Sequence, residues 1–321
     1  MQPFAQLVQQ FEAYLEQNMP FPQQPENLYE PCRYFLALDA KRVRPVLCLM
    51  ANELFGDISA DAWLAATAIE LFHNFTLVHD DIMDKAPLRR GKATIHAKYG
   101  MTAGILCGDI MVICAYEQLS GVQQSLPQVL QVFNRTAREV CEGQQWDMDF
   151  ETRDDVSIDA YIHMITLKTS VLLAASLHMG ALLGGTTEGN AAKLYEFGKN
   201  LGIAFQLQDD YLDAFGTSDK VGKQQGGDIM ANKKTYLLLK ALENATDAQR
   251  TEIGYWLTSN EEGKVPAMLE LFRTTGADTQ CREAVKAYSD KAFACLEDVA
   301  VLSKRKEPLF ELASYLLQRD R

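Results

Sequence analysis

Two short acidic segments carry the clearest chemical signal in this sequence of 321 residues. The first reads Asp-Asp-Ile-Met-Asp from Asp80 to Asp84, and the second reads Asp-Asp-Tyr-Leu-Asp from Asp209 to Asp213. On a helix, residues four apart share a face, so the first and last carboxylates of each segment project together. Two carboxylates about 4 Å apart repel by roughly 4 kcal/mol at an effective dielectric of 20, and facing clusters of this kind therefore require cations.

The residue types indicate which cation is bound. Carboxylate oxygens suit Mg²⁺, which commonly bridges such residues to the phosphates of a ligand. One acidic segment is as compatible with a solvated helix face as with a metal site, whereas two segments set in apolar helices favour the metal site. The candidate metal ligands are Asp80, Asp81, Asp84, Asp209, Asp210 and Asp213.

Basic residues at intervals along the chain indicate an anionic ligand. Each one alone is more often a solvated surface charge. Arginine, however, suits bidentate phosphate recognition, and metal ions held by aspartates call for an anionic partner. The candidates are Lys41 to Arg44, Arg89, Arg90, Lys168, Lys223 and Lys233.

The elements that carry these residues are predicted to be helices. Apolar residues recur at three and four positions from Leu64 to Val78 and from Leu194 to Leu207, which is typical of amphipathic helices. No proline occurs between Pro127 and Pro266. The pattern predicts an all-α protein, and the absence of linkers or repeats predicts a single domain over residues 1–321. Connections between helices are expected at residues 20–31, 87–91, 121–127, 184–189 and 215–228.

Composition narrows the function classes. The net charge of -12, without a dense basic run, disfavours nucleic-acid binding. Seven scattered cysteines without a C-x-x-C pair argue against a disulfide framework and structural zinc. The most apolar stretch, residues 171–185, is too short to span a bilayer and is predicted to be a buried core helix. No secretory signal is evident at the N-terminus, so we expect a soluble cytoplasmic protein without stable membrane insertion.

Taken in order, the motifs resemble those of the trans-isoprenyl diphosphate synthases, the polyprenyl synthetase family, over nearly the whole chain. The matching segments are residues 41–45, 70–73, 80–84, 89–91, 143–144, 168–169, 205–213, 222–223 and 228–235. The resemblance implies a bundle of helices around a central apolar cavity, an isoprenoid-synthase fold, and a homodimer. One departure is that Asp39 and Ala40 stand where the family usually has two glycines.

The resemblance also implies a reaction and a role for each residue. The reaction is Mg²⁺-dependent head-to-tail condensation of isopentenyl diphosphate with an allylic diphosphate, with three Mg²⁺ ions held by the acidic motifs. The implied pocket for isopentenyl diphosphate comprises Lys41, Arg44, His73 and Arg90. The implied contacts of the allylic diphosphate are Arg89, Lys168, Thr169, Lys223 and Lys233. The residues implied at the reacting centre are Lys168, Thr169, Gln206 and Asp209, with Phe205 beside Gln206.

Product length is predicted from the residues just before the first acidic motif. In the resembling family a bulky residue five positions before Asp80 closes the cavity, and Phe75 occupies that position. Phe72, Phe75 and Thr76 are therefore the candidate floor, and geranylgeranyl diphosphate is favoured over farnesyl diphosphate. An ideal helical wheel instead places Thr76 beneath Asp80, so the role of Phe75 depends on the resemblance.

Three alternatives remain open at this point. The first is a synthase of longer polyprenyl diphosphates. The second is a class I terpene cyclase, although a cyclase is expected to carry a second metal motif with Asn, Ser and Glu rather than the all-carboxylate Asp209 to Asp213. The third is a helical scaffold or regulatory subunit, which would be under no constraint to keep all six aspartates.

Overall fold

The computed structural model describes residues 1–216, 226–259 and 261–318. The all-α prediction is confirmed, because the described residues are overwhelmingly helical and their strands amount to one pair of two residues each. Contacts divide the chain into two compact units. The first comprises Met1–Ala137, Ala175–Leu194 and Ala300–Pro308, and the second comprises Arg138–Ala174, Tyr195–Val299 and Leu309–Arg321.

The elements up to residue 120 all belong to the first unit. They are α1 (Phe4–Gln17), α2 (Glu26–Leu36), α3 (Val43–Glu53), α4 (Ala60–Met83), β1 (Leu88–Arg89), β2 (Lys92–Ala93), α5 (Ile95–Tyr99) and α6 (Met101–Ser120). The strands form an antiparallel pair in which Leu88 lies opposite Ala93. Helix α4 packs most extensively against α6 and next against α3.

Eleven further elements follow in the described part of the chain after residue 120. They are α7 (Leu126–Glu151), α8 (Ile158–Ile165), a π-helical turn (Thr166–Ser170), α9 (Val171–Leu183), α10 (Glu188–Phe215), α11 (Gly227–Met230), α12 (Tyr236–Asn244), α13 (Asp247–Thr258), α14 (Lys264–Thr274), α15 (Ala277–Glu297) and α16 (Ser303–Leu317). The core of the second unit includes Tyr161, Leu207, Tyr236, Phe272 and Cys281.

Local sequence explains where α4 begins. The Ser59 hydroxyl accepts a hydrogen bond from the backbone N–H of Ala62, which caps the helix. Asp61 lies in the first turn and accepts hydrogen bonds from the backbone N–H groups of Gln123 and Gln124. Asp61 therefore stabilises both the start of α4 and the connection that precedes α7.

Two sequence expectations about individual segments have different outcomes. The predicted buried core helix is confirmed as α9, whose residues Val171, Leu177 and Met179 are all buried. The predicted break over residues 20–31 is shorter than expected, because α2 begins at Glu26 and contains Pro31 in its interior. Burial of Phe35 offsets the hydrogen bond that a proline removes from a helix.

Two helical stretches are long and apolar enough, by length and composition, to cross a membrane. They are Met101–Ser120, with 39% of the apolar window buried, and Ile158–Leu183, with 78% of the window buried. The buried fraction of the second stretch is that of a core segment of a folded domain.

Helices α3 and α9 approach closely at a glycine. A Cβ atom added to Gly180 would overlap the carbonyl oxygen of Cys48, which belongs to the backbone and cannot rotate aside. The Asn52 side chain donates a hydrogen bond to the carbonyl oxygen of Gly180 at 3.1 Å. The glycine thus permits the two backbones to touch, and the amide of Asn52 fixes their register.

Replacing Gly180 by alanine is expected to lower the free energy of unfolding by about 2 kcal/mol, because the added methyl group forces the two helices apart. Urea denaturation followed by circular dichroism measures this change. Gly254 is a matched control, since it lies within α13 and an added Cβ would meet nothing within 4 Å. Gly254→Ala should raise stability by about 0.5–1 kcal/mol through helix propensity. Equal stability of the parent and Gly180→Ala would contradict the close approach.

Candidate active site

The first acidic motif lies at the C-terminal end of α4. The helix ends at Met83, Asp84 is its C-cap, and the last turn contains no basic residue. The carbonyl groups at this end of a helix carry partial negative charge, so aspartates here are unfavourable unless a cation lies nearby. Asp80 is half-buried and Asp84 is exposed, so both lie within reach of solvent.

Asp81, which lies between them in sequence, forms an ion pair within the protein. Its carboxylate is buried and accepts hydrogen bonds from Arg89 Nε to both oxygens at 2.9 Å. Arg89 Nη2 lies 2.8 Å from the same carboxylate. Arg89 belongs to β1, and the turn to β2 uses left-handed backbone at Arg90 and Gly91. The hairpin thus brings Arg89, a predicted diphosphate contact, next to the acidic motif.

The predicted pocket for isopentenyl diphosphate has its charged groups in the first unit. Arg44 Nη1 lies 3.1 Å from Nε2 of His73, and Lys41 is exposed. Burial, followed by the charge of Arg44, lowers the pKa of His73 well below its ordinary value. A neutral imidazole can accept a hydrogen bond from Arg44. Burial also lowers the pKa of Arg44 to about 10, which leaves the guanidinium charged at neutral pH.

The candidate floor residues lie on α4, before the first acidic motif. Phe72 is buried and packs edge-on against Phe133, with ring centroids 5.3 Å apart. Phe75 is half-buried and contacts the rings of Phe72 at 5.4 Å and His79 at 4.8 Å. The Thr76 hydroxyl donates a hydrogen bond to the carbonyl oxygen of His73. Phe75 is therefore the bulky side chain of this set that is only partly enclosed.

The second acidic motif repeats the arrangement of the first within its own unit. Asp209, Asp210 and Asp213 occupy the end of α10, and the last turn again has no basic residue. Asp210 is buried and accepts hydrogen bonds from the Tyr161 hydroxyl and from Nε2 of Gln206. Burial raises the pKa of Asp210 to about 7, against the opposing effect of those hydrogen bonds. Asp209 and Asp213 are half-buried.

Lys168 and Thr169 lie on the π-helical turn. A Cβ atom on Gly143 would overlap the backbone nitrogen of Lys168, and one on Gly202 would lie 2.7 Å from Cα of Ser170. The two glycines therefore allow α7 and α10 to pack directly against the backbone of this turn. Lys168 Nζ forms an ion pair with Asp147 at 2.6 Å. Thr169 donates a hydrogen bond to Oε1 of Gln206, which links it to Asp210.

The segment after the second motif bears the remaining predicted cations. Lys223 lies outside the described residues. Lys233 is exposed, and its Nζ lies 3.7 Å from Oδ1 of Asp228. The backbone N–H of Asp228 in turn donates a hydrogen bond to Oδ2 of Asp213 at 2.9 Å. The α11 segment is thereby attached to the second acidic motif.

Sequence reasoning missed several residues of this site. Glu70 and Arg42 lie inside segments that match the family, but the sequence predicted no function for either of them. The structure places them in a buried ion pair at 2.5 Å. Tyr161 and Asp147, which contact predicted site residues, also went unassigned. A carboxylate at Glu70, in the middle of an apolar helix, was a usable signal, because buried carboxylates need a partner. Nothing in the spacing of Tyr161 indicated its contact.

The carboxylates of the two acidic motifs suit a Mg²⁺ ion whose remaining ligands include phosphate oxygens of a substrate. Over the parts of the chain that the structure describes, no three His, Cys, Asp or Glu side chains are grouped closely enough to hold a metal by themselves. Mg²⁺ is usually bound by one or two carboxylates together with water and substrate phosphates. Asp80, Asp84, Asp209 and Asp213 supply carboxylate oxygens that are accessible and lack a basic residue in the same helical turn.

Comparison with known proteins gives consistent matches along the chain. The family model for polyprenyl synthetase matches residues 25–272. A geranylgeranyl diphosphate synthase of Methanosarcina mazei is 37% identical over 299 residues, which cover 92% of this chain and 91% of that protein. A crystal structure of a geranylgeranyl pyrophosphate synthase has a TM-score of 0.94 and 43% identity, with both chains fully covered.

A more distant structure adds information about ligands. The geranylgeranyl pyrophosphate synthase of Corynebacterium glutamicum, complexed with isoprenyl diphosphate and magnesium, has a TM-score of 0.83 and 25% identity and covers 98% of this chain and 97% of that one. The structural matches confirm the isoprenoid-synthase fold predicted from the motifs. The chain therefore belongs to the polyprenyl synthetase family.

Proposed function

We propose that this protein is a Mg²⁺-dependent prenyltransferase that condenses isopentenyl diphosphate head-to-tail with an allylic diphosphate, releasing a short all-trans prenyl diphosphate. Geranylgeranyl diphosphate is the favoured product, since relatives that match almost the whole chain bear that name. The observation that carries the proposal is the pair of all-carboxylate motifs, each at a helix C-terminus that lacks a basic residue.

Asp80 and Asp84 are proposed to hold two Mg²⁺ ions, and Asp209 a third, with Asp213 beside it. When bound, the ions would stabilise the charge that develops on the departing diphosphate. Asp81 and Asp210 are proposed to orient their neighbours, because their buried carboxylates are already engaged by Arg89 and by Tyr161 and Gln206. The magnesium complex of the Corynebacterium glutamicum relative supports the choice of metal.

The cationic side chains are proposed to divide between two diphosphates. Arg89, Lys168, Thr169, Lys223 and Lys233 bind the allylic one, and Lys41, Arg44, His73 and Arg90 bind that of isopentenyl diphosphate. A neutral His73 can present Arg44 to a phosphate without adding a charge of its own. Arg44 Nε is buried and has no hydrogen-bond partner among the described residues, which supports a ligand there.

The residues proposed at the reacting carbons hold the substrates and exclude water. Gln206 is fixed by Thr169 and Asp210, so its amide keeps one orientation. Phe205 supplies apolar surface beside Gln206, which limits quenching of the allylic cation by water. The double bond of isopentenyl diphosphate then attacks the cation, and the proton lost from C2 passes to the released diphosphate. This scheme requires no nucleophilic side chain.

Three further features belong to the proposal. Residues 1–321 act as a single catalytic domain, and the protein is soluble in the cytoplasm. It forms a homodimer through the outer face of α6, where Ile105, Leu106, Ile113 and Tyr116 are 40–54% exposed. Contiguous exposed apolar side chains of this kind mark an interaction surface.

The first test measures condensation of the substrates by the parent protein and by variants of the two acidic motifs. Incubation with isopentenyl diphosphate, Mg²⁺ and dimethylallyl, geranyl or farnesyl diphosphate should yield a longer prenyl diphosphate. Asp80→Ala and Asp209→Ala should each lower kcat at least about 100-fold, because the transition state loses a bound cation. Helicity should be retained. The control Asp57→Asn, an exposed acid away from both motifs, should keep parental activity. Full activity of both motif variants would contradict the metal assignment.

Phe75→Ala is expected to lengthen the product, because removal of a half-buried ring opens space behind the first acidic motif. Chromatographic sizing of the products measures the change, with a predicted gain of at least one isoprene unit. Phe75→Leu, which keeps most of the bulk, is the matched control and should leave the length nearly unchanged. An identical product distribution for Phe75→Ala and the parent would remove Phe75 from the floor.

The dimer is tested on the apolar face of α6. Ile113→Glu should weaken self-association at least about tenfold, because it introduces a charge at the centre of a buried apolar interface. Sedimentation equilibrium at micromolar concentrations measures the mass. Leu302→Glu is the control, since Leu302 is 77% exposed and lies outside α6. A parent that sediments as a monomer, or an Ile113→Glu variant that dimerises like the parent, would overturn this interface.

A further inference from the structure

A buried ion pair lies behind the basic residues of the first unit. Glu70, in the middle of α4, is 2% exposed, and its Oε1 accepts a hydrogen bond from Nη1 of Arg42 at 2.5 Å. The Asn74 side chain donates to the same oxygen at 3.1 Å. Arg42 Nη2 donates to the carbonyl oxygen of Leu36 at 2.6 Å. Arg42 thus uses its guanidinium to tie α4 to the end of α2.

The backbone at Arg42 is itself unusual. Arg42 is the N-cap of α3 and has φ 50° and ψ 31°, in the left-handed region. A non-glycine residue in that region is sterically unfavourable, so it persists only where the surroundings hold it. The hydrogen bonds to Glu70 and Leu36 provide that restraint. Since Lys41 precedes Arg42 and Arg44 follows two residues later, the same restraint sets where both side chains start.

The charged groups near Glu70 and His73 include several arginines, and Glu12 Oε1 lies 3.9 Å from Arg42 Nε. The charges of Arg42, Arg44, Arg89 and Arg90 all lower the pKa of His73, and Arg44 Nη1 lies 3.1 Å from its Nε2. Glu70 is the carboxylate that most favours the charged forms of Arg44 and Arg90. In the described part of the chain, neither of these two arginines forms an ion pair with a carboxylate within 4.0 Å. Glu70 therefore offsets the positive charge of these two arginines without forming an ion pair with either of them.

We propose that Glu70 and Arg42 are positioning residues for the isopentenyl diphosphate pocket, which hold in place the backbone that carries Lys41 and Arg44. The inference rests on the proposed function, since it assigns a role within that pocket. Neither residue is proposed to touch the substrate. The alternative, in which Glu70 merely opposes the pocket's positive charge, makes the contrary prediction that removing its charge strengthens diphosphate binding.

The test uses Glu70→Gln, which keeps the shape of the side chain and removes its charge. We expect the KM for isopentenyl diphosphate to rise at least about tenfold, while the KM for the allylic diphosphate stays within about twofold of the parent. Calorimetric titration with isopentenyl diphosphate alone should show the same loss of affinity. Asp61→Asn is the matched control, because Asp61 is also a buried carboxylate on α4, bonded to two backbone N–H groups. It should lose stability but keep both KM values.

A second set of variants replaces Arg42. Arg42→Lys retains the charge but loses the two-pronged contact with Glu70 and Leu36, so it should also raise the KM for isopentenyl diphosphate selectively, by about three- to tenfold. The double variant Arg42→Met, Glu70→Gln should bind isopentenyl diphosphate no better than Glu70→Gln, because it also loses the hydrogen bond to Leu36 that restrains the backbone at Arg42. If Glu70→Gln does not fold, Arg42→Lys decides the question.

The outcomes separate this inference from the proposed function. A parent that condenses the substrates, together with a Glu70→Gln variant of unchanged or lowered KM for isopentenyl diphosphate, overturns the positioning role and leaves the function intact. Equal rises in both KM values show a general structural effect and also overturn it. A parent that binds no isopentenyl diphosphate overturns both.

Discussion

The negative end of a helix is an unfavourable place for aspartates, and this protein uses it twice. The three carboxylates at the end of α4 and the three at the end of α10 repel one another and the adjacent carbonyl groups. No basic residue in either last turn offsets this cost. Apolar packing of the helix bodies, which includes Ile69 and Leu207, stabilises the two helices. Under the proposed function, cations held at the acidic ends together with a bound diphosphate would balance this charge.

Within each motif the middle aspartate differs from the outer ones. Asp81 and Asp210 are buried and hydrogen-bonded to side chains of their own unit, whereas Asp80, Asp84, Asp209 and Asp213 are more accessible. A carboxylate that already accepts several hydrogen bonds has little capacity left for a metal ion. The middle residue instead restrains the helix end and the partners it contacts, among them Arg89 and Gln206. The same division in both motifs supports the proposal that the outer aspartates bind the metal ions and the middle ones restrain the helix end.

The sequence was informative where function depends on spacing along one helix. The period of apolar residues located α4 and α10, and the spacing of the aspartates placed them on one face. It was uninformative where function depends on contacts between helices. The π-helical turn under Lys168 exists because Gly143 and Gly202 let two helices press against it, and no local pattern indicates such a turn. The burial of Arg42 is of the same kind, since in sequence it reads as one more surface cation of a basic run.

The departure at Asp39 and Ala40 can be interpreted in the same terms. Two glycines at these positions would give the chain conformational freedom before the basic cluster. Among the described residues that have left-handed backbone, Arg42 belongs to this loop, whereas Asp39 and Ala40 do not. The turn that a glycine would make easily is thus made by an arginine, and its cost is offset by the contacts of that arginine with Glu70 and Leu36. The left-handed turn before α3 is therefore held by the contacts of a buried side chain, and it lies at a different residue from the two positions where the family usually has glycine.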